Sequence, residues 1–236
     1  KYCILDGLLP EDLTRKTYID FPQDDMWFYR DTFRERKLTF AKLDELSSPL
    51  PEMVTDSFHD QKILDIVGEI VKIDDLKADK TLYAGGLSRM KKSHFLNPHI
   101  DNSHNADRSN YRRLNLLFYV TPGIDEDDGG NFELWDSNVQ KPLKIPSKFN
   151  SLVIMETTPT SWHSVDPVKS DINRCCVSNY YFTKESPLKK DYYHVTSFTG
   201  RPGQTWQRLY GRVDNYMRQK IATVLKLSRG KKLVRN

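Results

Sequence analysis

The sequence between residues 81 and 184 is a series of short apolar runs separated by turn residues, and this pattern constrains the fold more than any other feature. The runs are "TLYA", "LNLLFYV", "NFELWD", "SLVIMET" and "RCCVSNYYF". Each is as long as a strand and shorter than a typical helix. The stretches "TPGIDEDDGG" and "IPSKFN" between them are rich in residues that form turns. Several short strands in series predict an antiparallel sandwich or barrel.

The segments that flank this series have helical patterns instead. "LLPEDLTRKTYIDF" predicts the end of a strand followed by a helix, with Pro10 in its first turn, and "DQKILDIVGEIVKI" has apolar residues at helical spacing. We therefore expect a mainly β fold with flanking helices (α+β) that forms one domain over residues 1–236. Residues 1–80 form a mainly helical support, residues 81–184 the β core and residues 199–236 a helical tail.

The tail is both amphipathic and basic. Its apolar stripe consists of Trp206, Leu209, Val213, Met217, Ile221 and Val224. The chain has a net charge of +4, but from Thr199 onward ten Lys and Arg residues stand against one acid, Asp214. The basic positions of interest are Arg208, Arg212, Arg218, Lys220, Lys226, Arg229, Lys231 and Lys232. Such a helix could touch nucleic acid or an anionic membrane. We rank packing of the stripe on the domain first, contact with a second copy second and nucleic acid third.

The cysteines and the hydropathy bear on location. Three cysteines occur, and two of them, Cys175 and Cys176, are adjacent. Adjacent cysteines rarely pair, so the sequence predicts no disulfide framework and a reducing, cytoplasmic environment. No apolar run is long enough to span a bilayer and no signal peptide opens the chain, so we expect no membrane span.

Two histidines and an aspartate have the spacing of a metal site. In "LNPHIDNSHN", His99 and Asp101 are two residues apart, so on a strand they face the same way. His163 in "TSWHSVDPV" follows another strand and is the third candidate. A 2-His-1-carboxylate set leaves coordination positions open and favours Fe(II) that binds a co-substrate and dioxygen. A structural zinc site uses four protein ligands, usually with cysteine, and no cysteine is near these three in sequence. We expect His104 to lie in a solvated loop and not to be a ligand.

Arg174, eleven residues after His163, is the candidate anchor for a carboxylate. Its planar guanidinium matches a carboxylate with two parallel hydrogen bonds. By strand alternation Ser178 lies on the same face as Arg174, and Tyr119 on "LNLLFYV" offers a phenolic donor. Either arginine of the pair at residues 112–113 could contact substrate, or both could be exposed beside a strand.

Several of these motifs together resemble a known family. "HID", "DDGGNFELWD", "KFNSLVIMET", "WHSVDPV" and "RCCVSNYYF" look like the core of the Fe(II)/2-oxoglutarate-dependent dioxygenases of the prolyl 4-hydroxylase type, over roughly residues 82–182. The resemblance implies a double-stranded β-helix (jelly-roll, cupin-like) core. It also implies a role for each matching residue: His99, Asp101 and His163 as iron ligands, Arg174 on the far carboxylate of 2-oxoglutarate, Ser178 and Tyr119 as hydroxyl partners, and Tyr83 in the co-substrate pocket. Tyr83 lies sixteen residues before His99, a longer connection than the family usually has.

The resemblance also implies a reaction. Iron(II), 2-oxoglutarate and dioxygen would hydroxylate an unactivated C–H bond with release of succinate, and ascorbate could serve as reductant. Because Asp101 is present, hydroxylation is favoured over halogenation, in which a small residue replaces the carboxylate. The expected substrate is a small molecule or a peptidyl proline. Two alternatives stay open: a cupin-like metal-binding sensor without turnover, and a nucleic-acid demethylase or binding module that uses the basic tail.

Overall fold

The computed structural model describes residues 1–83 and 85–225, apart from the side chains of residues 223–225. The strands are β1 (Tyr2–Asp6), β2 (Phe28–Asp31), β3 (Glu35–Phe40), β4 (Lys77–Ala78), β5 (Gly86–Met90), β6 (Phe95–Ile100), β7 (Tyr111–Tyr119), β8 (Phe132–Trp135), β9 (Pro142–Ile145), β10 (Ser151–Glu156), β11 (His163–Val165), β12 (Arg174–Thr183) and β13 (Ser197–Phe198). The helices are α1 (Glu11–Ile19), α2 (Leu50–Ser57), α3 (Gln61–Val71) and α4 (Thr205–Leu225).

The strands form one antiparallel sheet in the order β1-β10-β7-β12-β5-β3-β6-β11-β8-β9, with β13 on β6, β2 on β3 and β4 on β12. Strands that are far apart in this order line one cavity, because the sheet curls around a common interior. Consecutive strands of the chain are mostly not neighbours in the sheet, as in a jelly roll. The prediction of a mainly β fold with a jelly-roll core and flanking helices is confirmed.

Strand alternation divides the apolar residues of β7 between two cores. On β7, Leu114, Leu116 and Phe118 belong to the larger core, together with apolar residues of α2 and α3. Their alternate neighbours Leu117 and Tyr119 face the inside of the curled sheet and belong to a smaller core. This period of two is what a strand buried on both faces requires. The inner face is therefore free to hold polar groups at intervals.

The N-terminal segment contributes strands as well as helices. β1 extends one edge of the sheet, and β3 lies between β5 and β6 in the middle of it. The sequence "FYRDTFRERKLTF" of the β2–β3 hairpin has charges on both faces and none of the clean apolar alternation that identifies a strand. Charged side chains of β3 consequently enter the interior.

Helix α4 packs on the domain through its polar face. Asn215 accepts from the backbone N–H of Phe198 at 3.0 Å and donates to its carbonyl at 2.8 Å. Arg218 donates to the Thr196 carbonyl at 2.7 Å. The apolar stripe faces outward, and Trp206 is 81% exposed. The prediction that the stripe packs on the domain is therefore wrong. The side chain of Val224 and the basic residues Lys226, Arg229, Lys231 and Lys232 lie outside the described residues.

No helix in the part of the chain that the structure describes is long and apolar enough to cross a membrane.

Candidate active site

His99 and His163 face each other across two paired strands. They are directly opposite in the antiparallel register of β6 and β11, and their ring centroids are 4.1 Å apart. The sequence predicted only that His163 follows another strand, and the structure places it at the start of β11, the neighbour of β6. His99 stacks on Phe198 at 5.1 Å, and Phe132 lies 5.8 Å from His163. Aromatic packing thus fixes both imidazole planes.

The same hydrogen bond sets the tautomer of each histidine. Nδ1 of His99 donates to the Asn97 carbonyl at 3.0 Å, and Nδ1 of His163 donates to the Ser161 carbonyl at 3.0 Å. Each Nε2 therefore carries the lone pair and points inward, as a metal-ligating histidine requires. Burial and the neighbouring His163 lower the pKa of His99 to about 3, which keeps this imidazole neutral.

Asp101 completes the set between the two rings. Its Oδ1 lies 3.7 Å from Nε2 of His99, and its Oδ2 lies 3.3 Å from Nε2 of His163. Nδ2 of Asn115 donates to Oδ2 at 2.8 Å, and a terminal nitrogen of Arg112 lies 3.3 Å from the same oxygen. Burial alone raises the pKa of Asp101, but Arg112 and His163 outweigh it and hold the pKa well below its usual range.

Arg112 is itself held in place. Its side chain is 2% exposed, its Nε donates to Asn115 Oδ1 at 2.8 Å, and its guanidinium lies 3.5 Å from the centre of the Tyr180 ring. Arg113, which points to the other face, pairs with Glu156 at 3.6 Å. The structure therefore separates the two arginines: Arg112 supports the carboxylate of Asp101, and Arg113 does not reach the site.

Arg174 lies at the far end of the same interior. Its Nε donates to the Gly130 carbonyl at 2.7 Å and to Ser147 Oγ at 2.9 Å, while the nearest partner of Nη1 is the sulfur of Met90 at 3.7 Å. Gly130 has a φ of +69°, and a Cβ there would lie 2.9 Å from Cδ of Arg174. The second glycine of "DDGGN" therefore makes room for this arginine.

Tyr119 supplies a second group at this end. Its ring centre is 4.8 Å from the Arg174 guanidinium, and its buried hydroxyl lies near Arg174 and Ser147 without a hydrogen bond of normal geometry. Burial raises the pKa of Tyr119, so the hydroxyl remains a protonated donor. A buried donor without an acceptor is costly. An oxygen-rich group bound beside Arg174 satisfies both side chains.

The remaining predicted residues are in the same cavity but less closely placed. Ser178 and Tyr83 line it, and Ser178 contacts Cys176 Sγ at 3.6 Å and makes no hydrogen bond to Arg174. The hydroxyl beside Arg174 is instead that of Ser147, in the loop "IPSKFN". No local signal identified Ser147, because its approach depends on the path of the loop. The roles of Ser178 and Tyr83 stay predictions.

His104 is buried and packed, contrary to the expectation of a solvated loop. It is 8% exposed, its ring centre lies 4.2 Å from that of Tyr111, and its Nδ1 is 2.7 Å from Ser103 Oγ. It lines the cavity but does not belong to the group of three ligand atoms. That His104 is not a ligand stays a prediction.

One cavity of about 950 Å³ connects these groups. Its lining includes the triad, the apolar side chains Leu96, Phe132 and Val165, the pair of Arg174 and Met90, and Arg218 and Ala222 of α4. The volume is at the upper end of that of small-molecule sites. It accommodates a metal, a dicarboxylate and part of a substrate together.

The residues present fit an iron ion and 2-oxoglutarate. The three ligand atoms of His99, Asp101 and His163 all lie within 4.8 Å of one another, and they form a 2-His-1-carboxylate set on one side of the cavity. Arg174 and Tyr119 supply a guanidinium edge and a hydroxyl with no oxygen acceptor in the described structure. These residues suit the distal carboxylate of 2-oxoglutarate.

Comparison with known proteins gives a consistent picture. Residues 85–182 match the 2OG-Fe(II) oxygenase superfamily. A prolyl-4-hydroxylase of Pseudomonas putida has a similar structure, with a TM-score of 0.57, 14% identity and coverage of 77% of this chain and 92% of that chain. A prolyl hydroxylase of Trichoplax adhaerens, solved with a hypoxia inducible factor peptide fragment, has a TM-score of 0.52, 16% identity and coverage of 78% and 84%. At these identities the likeness shows the fold.

One curated relative matches by sequence. Prolyl 3-hydroxylase OGFOD1 of Mus musculus is 33% identical over 78 residues, which are 30% of this chain. The match spans 14% of the length of that relative.

Proposed function

We propose that the protein is an Fe(II)- and 2-oxoglutarate-dependent hydroxylase, because residues 85–182 match the 2OG-Fe(II) oxygenase superfamily. The observation that carries the proposal is the pairing of two sites in one cavity. The open three-residue metal site and Arg174 line the same cavity, and the Nη1 of Arg174 and the hydroxyl of the adjacent Tyr119 have no oxygen acceptor in the described structure. A metal-binding sensor needs the first site and has no use for the second.

Each residue has a defined task in this reaction. Bound iron and 2-oxoglutarate would supply the oxidising chemistry, in which dioxygen is consumed, 2-oxoglutarate loses carbon dioxide to become succinate, and a C–H bond becomes C–OH. His99, Asp101 and His163 hold the metal with coordination positions left open. Arg174 grips the distal carboxylate and Tyr119 donates a hydrogen bond beside it. The apolar side chains of Leu96, Phe132 and Val165 keep water from the reacting groups.

For the substrate we propose a peptidyl proline, with a free small molecule as the second candidate. The curated relative and both solved relatives are named prolyl hydroxylases, and one of them was solved with a peptide. The cavity volume of about 950 Å³ leaves room for part of a longer chain beside the co-substrate. Ascorbate as reductant, a cytoplasmic location, a single dioxygenase domain and contact between two copies through α4 stay predictions.

The test is stoichiometric turnover. The purified protein with Fe(II), 2-oxoglutarate and a library of proline-containing peptides should form succinate and add one oxygen atom, a gain of about 16 Da, to a peptide. His163→Ala should do neither. If the parent forms no succinate in the presence of any peptide or of fractionated cell extract, the protein is a binding or sensor protein and the proposal is wrong.

A further inference from the structure

Strand β3, which lies outside the matched residues 85–182, places a charged row inside the cavity. Glu35, Lys37 and Thr39 are two residues apart, so they share one face of the strand, and all three line the cavity. β3 reaches this place because it pairs with β5 on one side and with β6 on the other. The presence of a lysine on the face of β3 that lines the cavity needs a physical reason, since burial of its charge is unfavourable.

Lys37 lies between the metal end and the Arg174 end. Lys37 precedes Leu38, which pairs with Arg89 of β5, so the antiparallel register puts Lys37 level with Met90. Met90 in turn pairs with Arg174 of β12. Its charge adds to burial and the neighbouring His163 in lowering the pKa of His99. It also opposes the burial that raises the pKa of Cys176. Lys37 is therefore close to both walls of the site.

Lys37 is only partly neutralised. Its Nζ lies 3.1 Å from Oε2 of Glu35, and Nη1 of Arg30 lies 3.5 Å from Oε1 of the same carboxylate. Two cations thus share one acid. The pattern extends over the whole cavity: the described residues hold 31 Lys and Arg residues against 32 acids, yet eight Lys and Arg residues and three acids line the cavity.

The co-substrate does not remove this surplus. The charge of iron(II) and that of the 2-oxoglutarate dianion cancel each other. The negative charge of Asp101 and the positive charges of Arg112 and Arg174 then sum to one positive charge at the centre. The group of Arg30, Glu35 and Lys37 adds another. A cavity with one sign of charge raises the local concentration of ligands of the opposite sign. The positive charge that remains therefore calls for an anionic substrate.

We propose that Lys37 forms a carboxylate subsite for the substrate. This inference rests on the proposed function and deepens it: the hydroxylated molecule carries an acidic group, in a peptide the side chain of Asp or Glu next to the reactive residue. Lys37 exchanges Glu35 for this carboxylate, and Arg30 retains Glu35. The subsite selects the substrate and takes no part in holding metal or 2-oxoglutarate.

The test uses the full chain loaded with Ni(II), which does not turn over, and begins with a titration of 2-oxoglutarate. Two peptides of matched shape are then titrated, acetyl-Glu-Pro-Glu-amide and acetyl-Gln-Pro-Gln-amide. The parent should bind the acidic peptide about tenfold more tightly, as expected for one hydrogen bond to a charged group. Lys37→Met should abolish the preference, and Lys37→Arg should retain it. The control is Lys42→Met at an exposed lysine on the cavity rim, which should retain it too.

Other outcomes overturn the inference. If the two peptides bind equally to the parent, or neither binds, there is no carboxylate subsite. If Lys37→Met keeps the preference, another cation provides it. If Lys37→Met instead weakens the binding of 2-oxoglutarate, Lys37 binds the co-substrate and not the substrate. A failure of the proposed function is seen separately, because the parent then binds no 2-oxoglutarate in the first titration.

Discussion

Three side chains of the matched core of residues 85–182, His99, His163 and Arg174, are held in a different way from Lys37 and Arg34 of the flanking segments. In the core, backbone carbonyls fix both histidine tautomers, and the Nε of Arg174 is tied to Gly130 and Ser147. In the flanks, charges are held by one another, as in the pairs of Lys37 with Glu35 and of Arg34 with Asp214 at 2.6 Å. Fixed groups suit chemistry that never varies, whereas exchangeable ion pairs suit recognition. The core therefore carries the reaction and the flanks select the substrate.

The strongest way to break this comparison is to remove a core ligand. His163→Ala should lose bound metal on gel filtration and reduce turnover more than about a hundredfold, because two ligands do not hold the ion. The control is His94→Gln, at a buried histidine that stacks on Tyr29 at 5.7 Å and is not one of the three candidate ligands. Full metal content in His163→Ala would disprove the triad.

The next largest effect is expected at the other end of the core. Arg174→Met should weaken the binding of 2-oxoglutarate about a hundredfold, since two charge-assisted hydrogen bonds are lost. It should leave the metal content unchanged. Calorimetric titration into the Ni(II) protein measures the affinity for 2-oxoglutarate, and elemental analysis measures the metal content. The affinity of Arg174→Lys for 2-oxoglutarate should lie between those of the parent and Arg174→Met, because a lysine keeps the charge and loses the paired hydrogen bonds of the guanidinium. Parental affinity in Arg174→Met would remove Arg174 from the co-substrate site.

The neighbouring arginines Arg112 and Arg113 sharpen the comparison within a single strand. Arg112→Met should reduce metal affinity roughly 10- to 100-fold, as typical for a residue that orients a ligand, because the carboxylate of Asp101 loses its charged partner. Arg113→Met removes the same side chain on the opposite face and should keep the parental affinity. Competition with a metal chelator gives both constants. Equal losses in the two variants would indicate a general effect of charge.

The smallest effect is expected in the flank, on α4. Asn215→Ala removes two hydrogen bonds to Phe198 and should lower the free energy of unfolding by about 1–2 kcal/mol. Trp206→Ala, at a side chain that is 81% exposed, should change it by less than about 0.5 kcal/mol. Urea unfolding measures both. The reverse order would mean that α4 is held by its apolar face.

The same contrast explains what the sequence could predict. His99, Asp101 and His163 follow from strand alternation and from one resemblance, because their geometry is set by neighbours in sequence and by strand pairing. Ser147 was missed since only the path of a loop brings it to Arg174. Lys37 was missed because charges on both faces of "ERKLTF" conceal a strand, and only the sheet order of β3 places it in the cavity.

Helix α4 shows a further limit. The period of its apolar residues correctly predicted one stripe from Trp206 to Ile221, but periodicity states which residues share a face and not which face turns inward. Asn215 and Arg218 settle the orientation by bonding to backbone groups of Phe198 and Thr196. Those backbone groups are presented by tertiary structure that no local pattern contains.

The division between a reacting core and a selecting flank is tested most directly by comparing Arg174→Met and Lys37→Met in the same two titrations. We predict that Arg174→Met loses 2-oxoglutarate affinity, whereas Lys37→Met binds 2-oxoglutarate like the parent and loses only the preference for the acidic peptide. If Lys37→Met loses affinity for 2-oxoglutarate and Arg174→Met loses the preference for the acidic peptide, the division between a reacting core and a selecting flank is contradicted.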